Sequence, residues 1–376
     1  MGVVIKLTKY LSRLKKRDSV DVKILFITLG GIGDVIMKTP AIINLRRAFP
    51  KAYIAALAHT GPASEVLMNC PYLNEIIHIG EEKPKYKQNL LELMRLIIAL
   101  RRKRFDMVIT GWAGLSLWAA LFAYLTGAPI RVGFNKGGRG FLHTIRVPIT
   151  SKKHTVEYNL DLIRALGIEI KEIRPKMWPK EDDYKKAEKF LIEHNVRTGD
   201  LLVGIYPGSE RLGEGKRWFP ERYAKVANRL AGKYNAKVII FGGPLEVEVA
   251  RVIRDSSKVE IIDATGKFSI NETAALIKRC NLFICNDGGV MHIAEAMDVP
   301  TISIWGPTDP ERSAPYGSPE RNIILRKEDI ECAPCYNYRP INCKHRKCLR
   351  LITVDDVMEA VGHLLSEEVR DNAGIS

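Results

Sequence analysis

The sequence predicts an α/β fold with two domains, each built around a parallel sheet. Apolar runs of strand length alternate with longer stretches of helical periodicity, which is the pattern of parallel sheets joined by crossover helices. A chain of 376 residues is long for a single hydrophobic core, so two domains of similar size are expected. The connection between them is expected at residues 171–183, a densely charged segment with two prolines.

The first series of elements contains four apolar runs that we interpret as buried strands. These are residues 22–28, 53–58, 75–79 and 106–111. Helical periodicity separates them at residues 38–49 and 89–104. It returns at residues 157–167, where Gly167 is the expected C-terminal stop.

The second series contains five strand-like runs, each of which ends in turn residues. Their sequences are LLVGIYPG, KVIIFGG, VEIIDATG, LFICND and TISIWGP. The helical patterns between them lie near residues 220–233, 245–255, 271–280 and 289–297. The last helix is expected at residues 354–369, after a Thr353-x-x-Asp356 capping arrangement. Two Rossmann-like halves of this kind bind ligands in a cleft at the carboxyl ends of their strands.

The net charge of the chain is +15, which favours anionic partners such as nucleic acid, an anionic membrane face or phosphorylated small molecules. Residues 1–21 read as a basic amphipathic helix without the apolar core of a signal peptide. This helix either lies on an anionic membrane surface or packs, solvated, on the first domain. No run reaches the roughly 18 apolar residues of a membrane span, so no span is expected. Without a signal peptide, we expect a cytoplasmic protein. A single glutamine, Gln88, amid abundant charged residues is typical of proteins from hot environments.

A glycine-rich turn, LGGIGD, follows the first predicted strand and opens a helix. A dinucleotide fingerprint would need a third glycine where the sequence has Ile36, and an acidic residue where the next strand ends in His59. These departures argue against a nicotinamide or flavin site. The turn instead brings Asp34 to the mouth of the expected cleft, in the first turn of a helix. Asp34 either caps free helix amides or has a chemical role.

The segment FICNDGGVMHIAEAM reads as a strand, a tight turn and a helix with no acidic residue in its first turn after Asp287. The backbone amides of Gly288, Gly289 and Val290 would form an anion site suited to a diphosphate. His292 could add a donor, and Asp287 could orient the loop. A core histidine and a capping aspartate are the alternatives.

A second loop rich in glycine and basic residues is YPGSERLGEGKRWFPERY, which follows another predicted strand. Lys216 or Arg217 could reach a leaving phosphate from this loop. Trp218 and Phe219 are expected to pack the loop down. The alternative is that the basic residues are merely solvated.

The order of these motifs carries a family resemblance. The segments are GGIGDVIMKTPAIINLRRAFP, YPGS, GKRWFPERY, FGGPLEVEVA, NDGGVMHIAEAMDVPTISIWGPTDP, and CAPC followed by Cys343 and Cys348. From about residue 22 to 362 the chain resembles glycosyltransferase family 9, the heptosyltransferases of lipopolysaccharide core assembly. The resemblance implies a GT-B fold, with two Rossmann-like domains facing each other across a central cleft. The implied regions are an N-terminal extension (1–21), an acceptor-binding domain (22–178), a nucleotide-sugar-binding domain (179–352), and a C-terminal helix and tail (353–376).

The resemblance also implies an inverting, metal-independent transfer of a heptose from ADP-heptose to a lipid A-Kdo type acceptor, with no cofactor. Asp34 would be the general base, and Lys216 would stabilise the charge that develops on the leaving diphosphate. The turn residues Gly30, Gly31 and Gly33 would give clearance to the acceptor. The implied donor contacts are Ser209, Arg217, Glu246, Asp287, Gly288, Gly289, Val290, His292 and Thr308.

The sequence departs from this family pattern at Gly288 and in its long basic N-terminal extension. Gly288 stands where many members have threonine, so a hydroxyl contact to phosphate is missing and the donor preference is open. Glu248 lies close enough to Glu246 in the sequence to compete for the implied ribose contact. The expected partners are a nucleotide sugar, a glycolipid acceptor and the anionic face of the inner membrane, with no nucleic acid.

Four cysteines near the C-terminus, Cys332, Cys335, Cys343 and Cys348, form a separate motif. Their spacing allows a tetrahedral zinc site, disulfides or structural thiols, and no catalytic metal is expected. Three alternative functions stay open. One is a related transferase with another nucleotide sugar or acceptor, and another is a basic nucleic-acid-binding protein, for which no aromatic-rich RNA or DNA motif is found. The third is a zinc-dependent structural module, which would account for the cysteines but not for the strand-end loops.

Overall fold

The chain divides into two units, Met1–Trp178 and Pro179–Ser376. The computed structural model describes residues 22–80, 90–112, 117–209, 214–335 and 343–372. The basic helix predicted for residues 1–21 lies outside the described residues. No helix in the described ranges combines the length and the apolar composition needed to cross a membrane.

Unit 1 contains a parallel six-stranded sheet flanked by helices. Its strands are β1 (Lys23–Ile27), β2 (Tyr53–Ala58), β3 (Glu75–His78), β4 (Met107–Thr110), β5 (Ile130–Asn135) and β6 (Ile145–Pro148). Its helices are α1 (Ile32–Ile36), α2 (Thr39–Ala48), α3 (Pro62–Glu65), α4 (Leu90–Lys103), α5 (Leu117–Leu125) and α6 (Thr155–Arg164). The strand order β3-β2-β1-β4-β5-β6 reverses direction between β1 and β4, and ligands bind beside such a switch point in open α/β sheets.

Unit 2 repeats this arrangement with a second parallel six-stranded sheet. Its strands are β7 (Leu202–Tyr206), β8 (Lys237–Ile240), β9 (Ile261–Asp263), β10 (Leu282–Asn286), β11 (Thr301–Ile304) and β12 (Asn322–Leu325). Its α-helices are α7 (Glu181–Glu193), α8 (Pro220–Tyr234), α9 (Val247–Asp255), α10 (Ile270–Ile277), α11 (Gly289–Ala296), α12 (Pro310–Ser313), α13 (Lys347–Arg350) and α14 (Val354–Asn372). Short 3₁₀ helices occur at Glu214–Lys216, Pro244–Glu246 and Pro319–Arg321. The order β12-β11-β10-β7-β8-β9 places the switch point between β7 and β10.

The central strands are apolar along their whole length because both of their faces are covered. All five residues of β7 and of β10 are buried. The core of unit 2 also contains Trp218 and Tyr223, whose rings meet edge to face at 5.0 Å. Helix α14 contributes Val357 and Val361 to the same core, so the C-terminal helix is an integral part of unit 2.

The predicted α/β class is confirmed, and every apolar run assigned to a strand is one. The capping arrangement before the last helix is also confirmed, because Thr353 Oγ1 accepts from the amide of Asp356 at 3.1 Å and Asp356 Oδ2 accepts from that of Thr353 at 2.7 Å. Strands β5, β6 and β12 were not predicted. The segment expected as the connection, residues 171–183, is irregular only as far as residue 180, since α7 begins at Glu181.

Candidate active site

Asp34 lies in the first turn of α1, after the loop that leaves the switch-point strand β1. In this loop Gly30 has a φ of +133°, and a Cβ there would lie 2.6 Å from the Asp34 Cβ, so only glycine fits without strain. Asp34 Oδ2 accepts a hydrogen bond from the amide of Gly31 at 3.1 Å, which caps the helix. Oδ1 has no hydrogen-bond partner among the described residues, and the side chain is half-buried. One carboxylate oxygen therefore fixes the side chain, and the other has no hydrogen bond within the described part of the chain.

Lys38, one helical turn after Asp34, is a fully buried lysine that the sequence analysis did not single out. Its Nζ donates a hydrogen bond to the carbonyl of Leu29 at 2.9 Å. Its stem packs against Gly111, where a Cβ would lie 2.8 Å from the Lys38 Cε. Burial lowers the pKa of the Lys38 ammonium to about 8, and attraction to the Asp34 carboxylate partly opposes that lowering. Lys38 thus connects the loop after β1 to the loop after β4.

In unit 2, Lys216, Asp287 and Thr308 form a buried cluster at the carboxyl end of β10. The Lys216 Nζ lies 2.6 Å from Asp287 Oδ2, and each of these side chains is 9% exposed. The Thr308 hydroxyl donates to the same carboxylate oxygen at 2.7 Å. Asp287 therefore holds a cation and a hydroxyl from two other loops at one point, and removing one partner of such a buried ion pair is strongly destabilising.

Asn286, the last residue of β10, holds the loops around this cluster together. Its side-chain amide donates to the carbonyls of Pro207 at 2.7 Å and Gly208 at 3.1 Å. Its Oδ1 accepts from the backbone amide of Trp218 at 3.0 Å and from the Tyr223 hydroxyl at 2.9 Å. The side chain is fully buried and uses both of its amide hydrogens. It thereby joins the loop after β7, and the backbone of Trp218 two residues beyond Lys216, to the carboxyl end of β10.

Glu246 is buried at the start of α9 and both of its carboxylate oxygens are engaged. Oε1 lies 3.2 Å from the Arg217 guanidinium, and Oε2 accepts from the amide of Gly243 at 3.0 Å. Two glycines make room for it, since a Cβ at Gly208 would lie 2.6 Å from the Glu246 Cγ and one at Gly242 would lie 2.4 Å from its Cβ. The carboxylate is therefore held by Arg217 and the Gly243 amide, while the Cβ and Cγ pack against the backbones of Gly242 and Gly208.

Glu248, the competing candidate for the ribose contact, occupies a different environment. Its side chain is 73% exposed and pairs with Arg251 on the surface of α9. Of the two glutamates, only Glu246 lies among the strand-end loops.

Helix α11 begins at Gly289 and has no acidic residue in its first turn, an arrangement that favours anions at the helix N-terminus. Gly288, just before it, has extended backbone with φ −178°. A Cβ at Gly288 would make ordinary contacts of 3.6 Å with the Tyr206 ring and 3.9 Å with the Cα of Ser209. The backbone therefore does not require glycine at position 288.

His292, on the buried side of α11, is oriented by a carboxylate. Its Nδ1 lies 3.1 Å from Glu295 Oε2, and both side chains are at most 5% exposed. Glu295 also accepts a hydrogen bond from the amide of Tyr316. Nε2 of His292 has no hydrogen-bond partner in the ranges that the structure describes. Glu295 was not predicted from the sequence, although its i+3 spacing from His292 on a helix is a usable signal.

The predicted site residues fall into separate groups. In unit 1 are the turn glycines and Asp34. In unit 2, hydrogen bonds or ion pairs join Lys216 to Asp287 and Thr308, and Arg217 to Glu246. The remaining predicted donor contacts lie on the loop after β7 or at the start of α11, and they are Ser209, Gly288, Gly289, Val290 and His292.

The cysteine motif packs behind the loop that carries Thr308. All seven cysteines of the chain are free thiols in the structure, and no described group of three or more histidine, cysteine or acidic side chains is arranged to hold a metal ion. The amide of Cys335 donates to the carbonyl of Pro307 at 2.9 Å. A Cβ at Gly306 would lie 3.2 Å from the Cys348 sulfur. The motif therefore supports the Thr308 loop through backbone and packing contacts.

A family model and a curated relative that match this chain both belong to the heptosyltransferases. The sequence model described as glycosyltransferase family 9 (heptosyltransferase) matches residues 93–345. The chain is 27% identical over 380 residues to lipopolysaccharide heptosyltransferase 2 of Salmonella typhimurium, with 92% of this chain and 99% of the relative covered.

Two solved structures are similar across nearly the whole chain. One is a glycosyl transferase family 9 protein from Veillonella parvula, with a TM-score of 0.76, 25% identity, and 93% and 98% of the two chains covered. The other is the E. coli ADP-heptose lps heptosyltransferase II, with a TM-score of 0.73, 24% identity, and 92% and 100% covered. The predicted GT-B class, with two Rossmann-like domains, is thereby confirmed.

Proposed function

The chain belongs to glycosyltransferase family 9 and is a glycosyltransferase, and from this premise we propose that it transfers a heptose from ADP-heptose to a lipopolysaccharide core acceptor. The transfer inverts the anomeric carbon and uses no metal ion. The observation that carries the proposal is the geometry of Asp34, whose Oδ2 accepts from the Gly31 amide and whose Oδ1 has no described partner. A fixed, half-buried carboxylate with one available oxygen suits a general base.

The donor would be held by the strand-end loops of unit 2. The Lys216 ammonium and the first-turn amides of α11 would face the diphosphate, which is an arrangement of fixed positive charge that needs no reorganisation during the reaction. Glu246 would accept from the ribose hydroxyls while Arg217 and the amide of Gly243 hold it in place. His292 would donate from Nε2 as the doubly protonated ring, since its Nδ1–H faces the Glu295 carboxylate.

The chemical step follows from these roles. The acceptor hydroxyl oxygen attacks the anomeric carbon from the side opposite the diphosphate, and its proton passes to Asp34 Oδ1. The bond between the anomeric carbon and the diphosphate oxygen breaks, and its electron pair leaves with ADP. Lys216 and the α11 amides stabilise the additional negative charge on ADP.

Two relatives support ADP-heptose as the donor and a lipopolysaccharide core as the acceptor. The Salmonella relative is named a lipopolysaccharide heptosyltransferase, and the E. coli structure is named an ADP-heptose heptosyltransferase. We place the reaction at the cytoplasmic face of the inner membrane, where a glycolipid acceptor would be presented. Because Gly288 leaves out the hydroxyl that many members carry, the second candidate is the same reaction with another nucleotide sugar or another glycan acceptor.

The experiment replaces Asp34 with asparagine, which keeps the capping oxygen and removes the base. Transfer from ADP-heptose to a lipid A-Kdo acceptor should lose about a hundredfold or more in kcat, the usual contribution of a general base. ADP affinity, measured by titration calorimetry, should be unchanged. Near-wild-type turnover of Asp34→Asn would refute the assignment.

A matched control separates chemistry from helix capping. Asp183 caps α7 from the same third helical position, and its Oδ2 accepts from the amide of Lys180 at 2.7 Å. Asp183→Asn should therefore leave turnover unchanged. Transfer from a different nucleotide sugar with none from ADP-heptose would favour the second candidate, and no transfer from any nucleotide sugar would refute both.

A further inference from the structure

We propose that the outer faces of α4 and α5 in unit 1 form a surface that docks onto an anionic lipid bilayer. The proposal rests on the proposed function only in that a glycolipid acceptor must be reached at a membrane. It concerns described helices and is independent of the basic segment at residues 1–21.

The outer face of α4 is apolar along most of its length. Leu91, Met94 and Ile98 are 62%, 50% and 47% exposed, and their spacing of three and four residues puts them on one face of the helix. The same face continues into the exposed Arg101 and Arg102. A surface helix of a soluble domain normally carries polar residues at these positions.

Helix α5 adds a second apolar face and carries no charged residue. Leu117, Trp118 and Tyr124 are 48%, 61% and 52% exposed. Tryptophan and tyrosine are the side chains that concentrate at the boundary between lipid and water, because their rings are apolar and their polar atoms remain hydrated.

The two faces belong to one surface. Helices α4 and α5 contribute Leu100 and Ala123 to the same buried cluster over the sheet. Where α5 ends, a Cβ at Gly127 would lie 3.7 Å from the Arg101 Nε. Both helices therefore cover the same face of the sheet, and their exposed sides lie on the same side of unit 1. Ile192, by contrast, is the only strongly exposed large apolar side chain described on α7, and single exposed apolar side chains are normal for soluble proteins.

The charge beside this surface selects an anionic occupant. Helix α4 carries one acidic residue, Glu92, against the four basic residues Arg95, Arg101, Arg102 and Lys103. A symmetric contact between two copies of the chain would bring these like charges together, which is unfavourable. A bilayer with anionic headgroups would bury the apolar side chains and pair with the arginines in one contact.

The test is co-sedimentation of the full chain with vesicles of phosphatidylglycerol and phosphatidylcholine, compared with phosphatidylcholine alone. The wild type should bind the anionic vesicles and should be released by salt. The double variant Met94→Gln with Trp118→Gln should weaken binding by about tenfold or more, because it removes apolar burial. Arg95→Glu with Arg102→Glu should weaken it by more than about tenfold, since each basic residue near an anionic surface is worth about fivefold.

Matched control variants lie in unit 2. Ile192→Gln removes a side chain that is 62% exposed, and Lys225→Glu reverses an exposed charge on α8. Both should change vesicle binding by less than about twofold, since neither lies on the proposed surface. Circular dichroism of all variants checks that each is folded.

The outcomes separate this proposal from the proposed function. If the α4 and α5 variants bind anionic vesicles more weakly than the wild type while the unit 2 control variants bind normally, the docking surface is supported even if no sugar is transferred. Equal binding of all variants, or no binding of the wild type, overturns it even if transfer is efficient. Self-association in light scattering that these variants abolish, without vesicle binding, would identify a second copy as the occupant and also overturn it.

Discussion

Replacing Lys38 with methionine should change how the stability of the protein depends on pH. Lys38 is fully buried, and its ammonium is hydrogen-bonded to a single described acceptor, the carbonyl of Leu29. Methionine is similar in length and apolar, so it fills the space without the charge.

The size of the effect follows from the pKa of Lys38, which burial lowers from 10.5 to about 8. This corresponds to a roughly 300-fold weaker proton affinity in the folded state, or about 3 kcal/mol. The unfolded chain binds the proton more tightly than the folded chain does. The full penalty of about 3 kcal/mol therefore applies below pH 8, where Lys38 is charged in both states. That penalty is relieved as the pH rises from about 8 towards 10.5.

The methionine variant lacks this penalty at every pH. It also leaves the Leu29 carbonyl without its donor, which costs about 1–3 kcal/mol but does not depend on pH. The free energy of unfolding of the wild type, relative to the variant, should therefore rise by about 2.5 kcal/mol between pH 7 and pH 10.

Urea denaturation of both proteins at several pH values in this range measures the difference. The control is Lys225→Met, which removes an exposed lysine on α8 and should follow the wild type at every pH. Asp34→Asn should enlarge the effect, because the Asp34 carboxylate favours the charged form of Lys38. Parallel pH profiles for the wild type and Lys38→Met would refute the reasoning.

Two further predictions concern unit 2. Asp287→Asn leaves the buried Lys216 ammonium without its carboxylate and should lower the free energy of unfolding, measured by urea denaturation, by about 3–5 kcal/mol. Adding Lys216→Met should recover most of that loss. A loss under about 1 kcal/mol in Asp287→Asn would contradict the buried pair. Gly242→Ala places a Cβ 2.4 Å from the Glu246 Cβ and should weaken ADP binding in titration calorimetry. Gly232→Ala, on the open surface of α8, should leave ADP binding unchanged and should stabilise the helix slightly; equal ADP affinity in both variants would count against the role of Glu246.

The sequence was informative wherever the structural signal is local. Buried central strands such as β1 and β10 read as continuous apolar runs, and helix starts such as Thr353-x-x-Asp356 are encoded within four residues. The strands that were missed are edge or near-edge strands. In β6, exposed residues, including Arg146, alternate with buried ones, and no residue of β12 is fully buried. Such short segments become strands because a neighbouring strand supplies their hydrogen bonds.

The candidate site shows the same division. The glycine-rich loops after predicted strands drew attention to Asp34, to the basic pair Lys216 and Arg217, and to the start of α11. The choice of Asp34 as base and of Lys216 over Arg217 came from the family resemblance. Sequence periodicity says nothing about Asn286, whose side chain joins β10 to the backbone of Trp218 68 positions away. Nor does it show that Lys38, a residue type normally found at the surface, is fully buried against Gly111.

By itself, then, the sequence determined the fold class, the resemblance to glycosyltransferase family 9 and the strand-end loops that hold the candidate site residues. Only the tertiary structure decided the strand order, and with it the switch points beside which these loops lie. It also decided which charges are paired, as in Lys216 with Asp287 and Arg217 with Glu246. The physical reason is that helix and strand patterns arise from neighbours in the sequence, whereas burial and ion pairing depend on residues that only folding brings together.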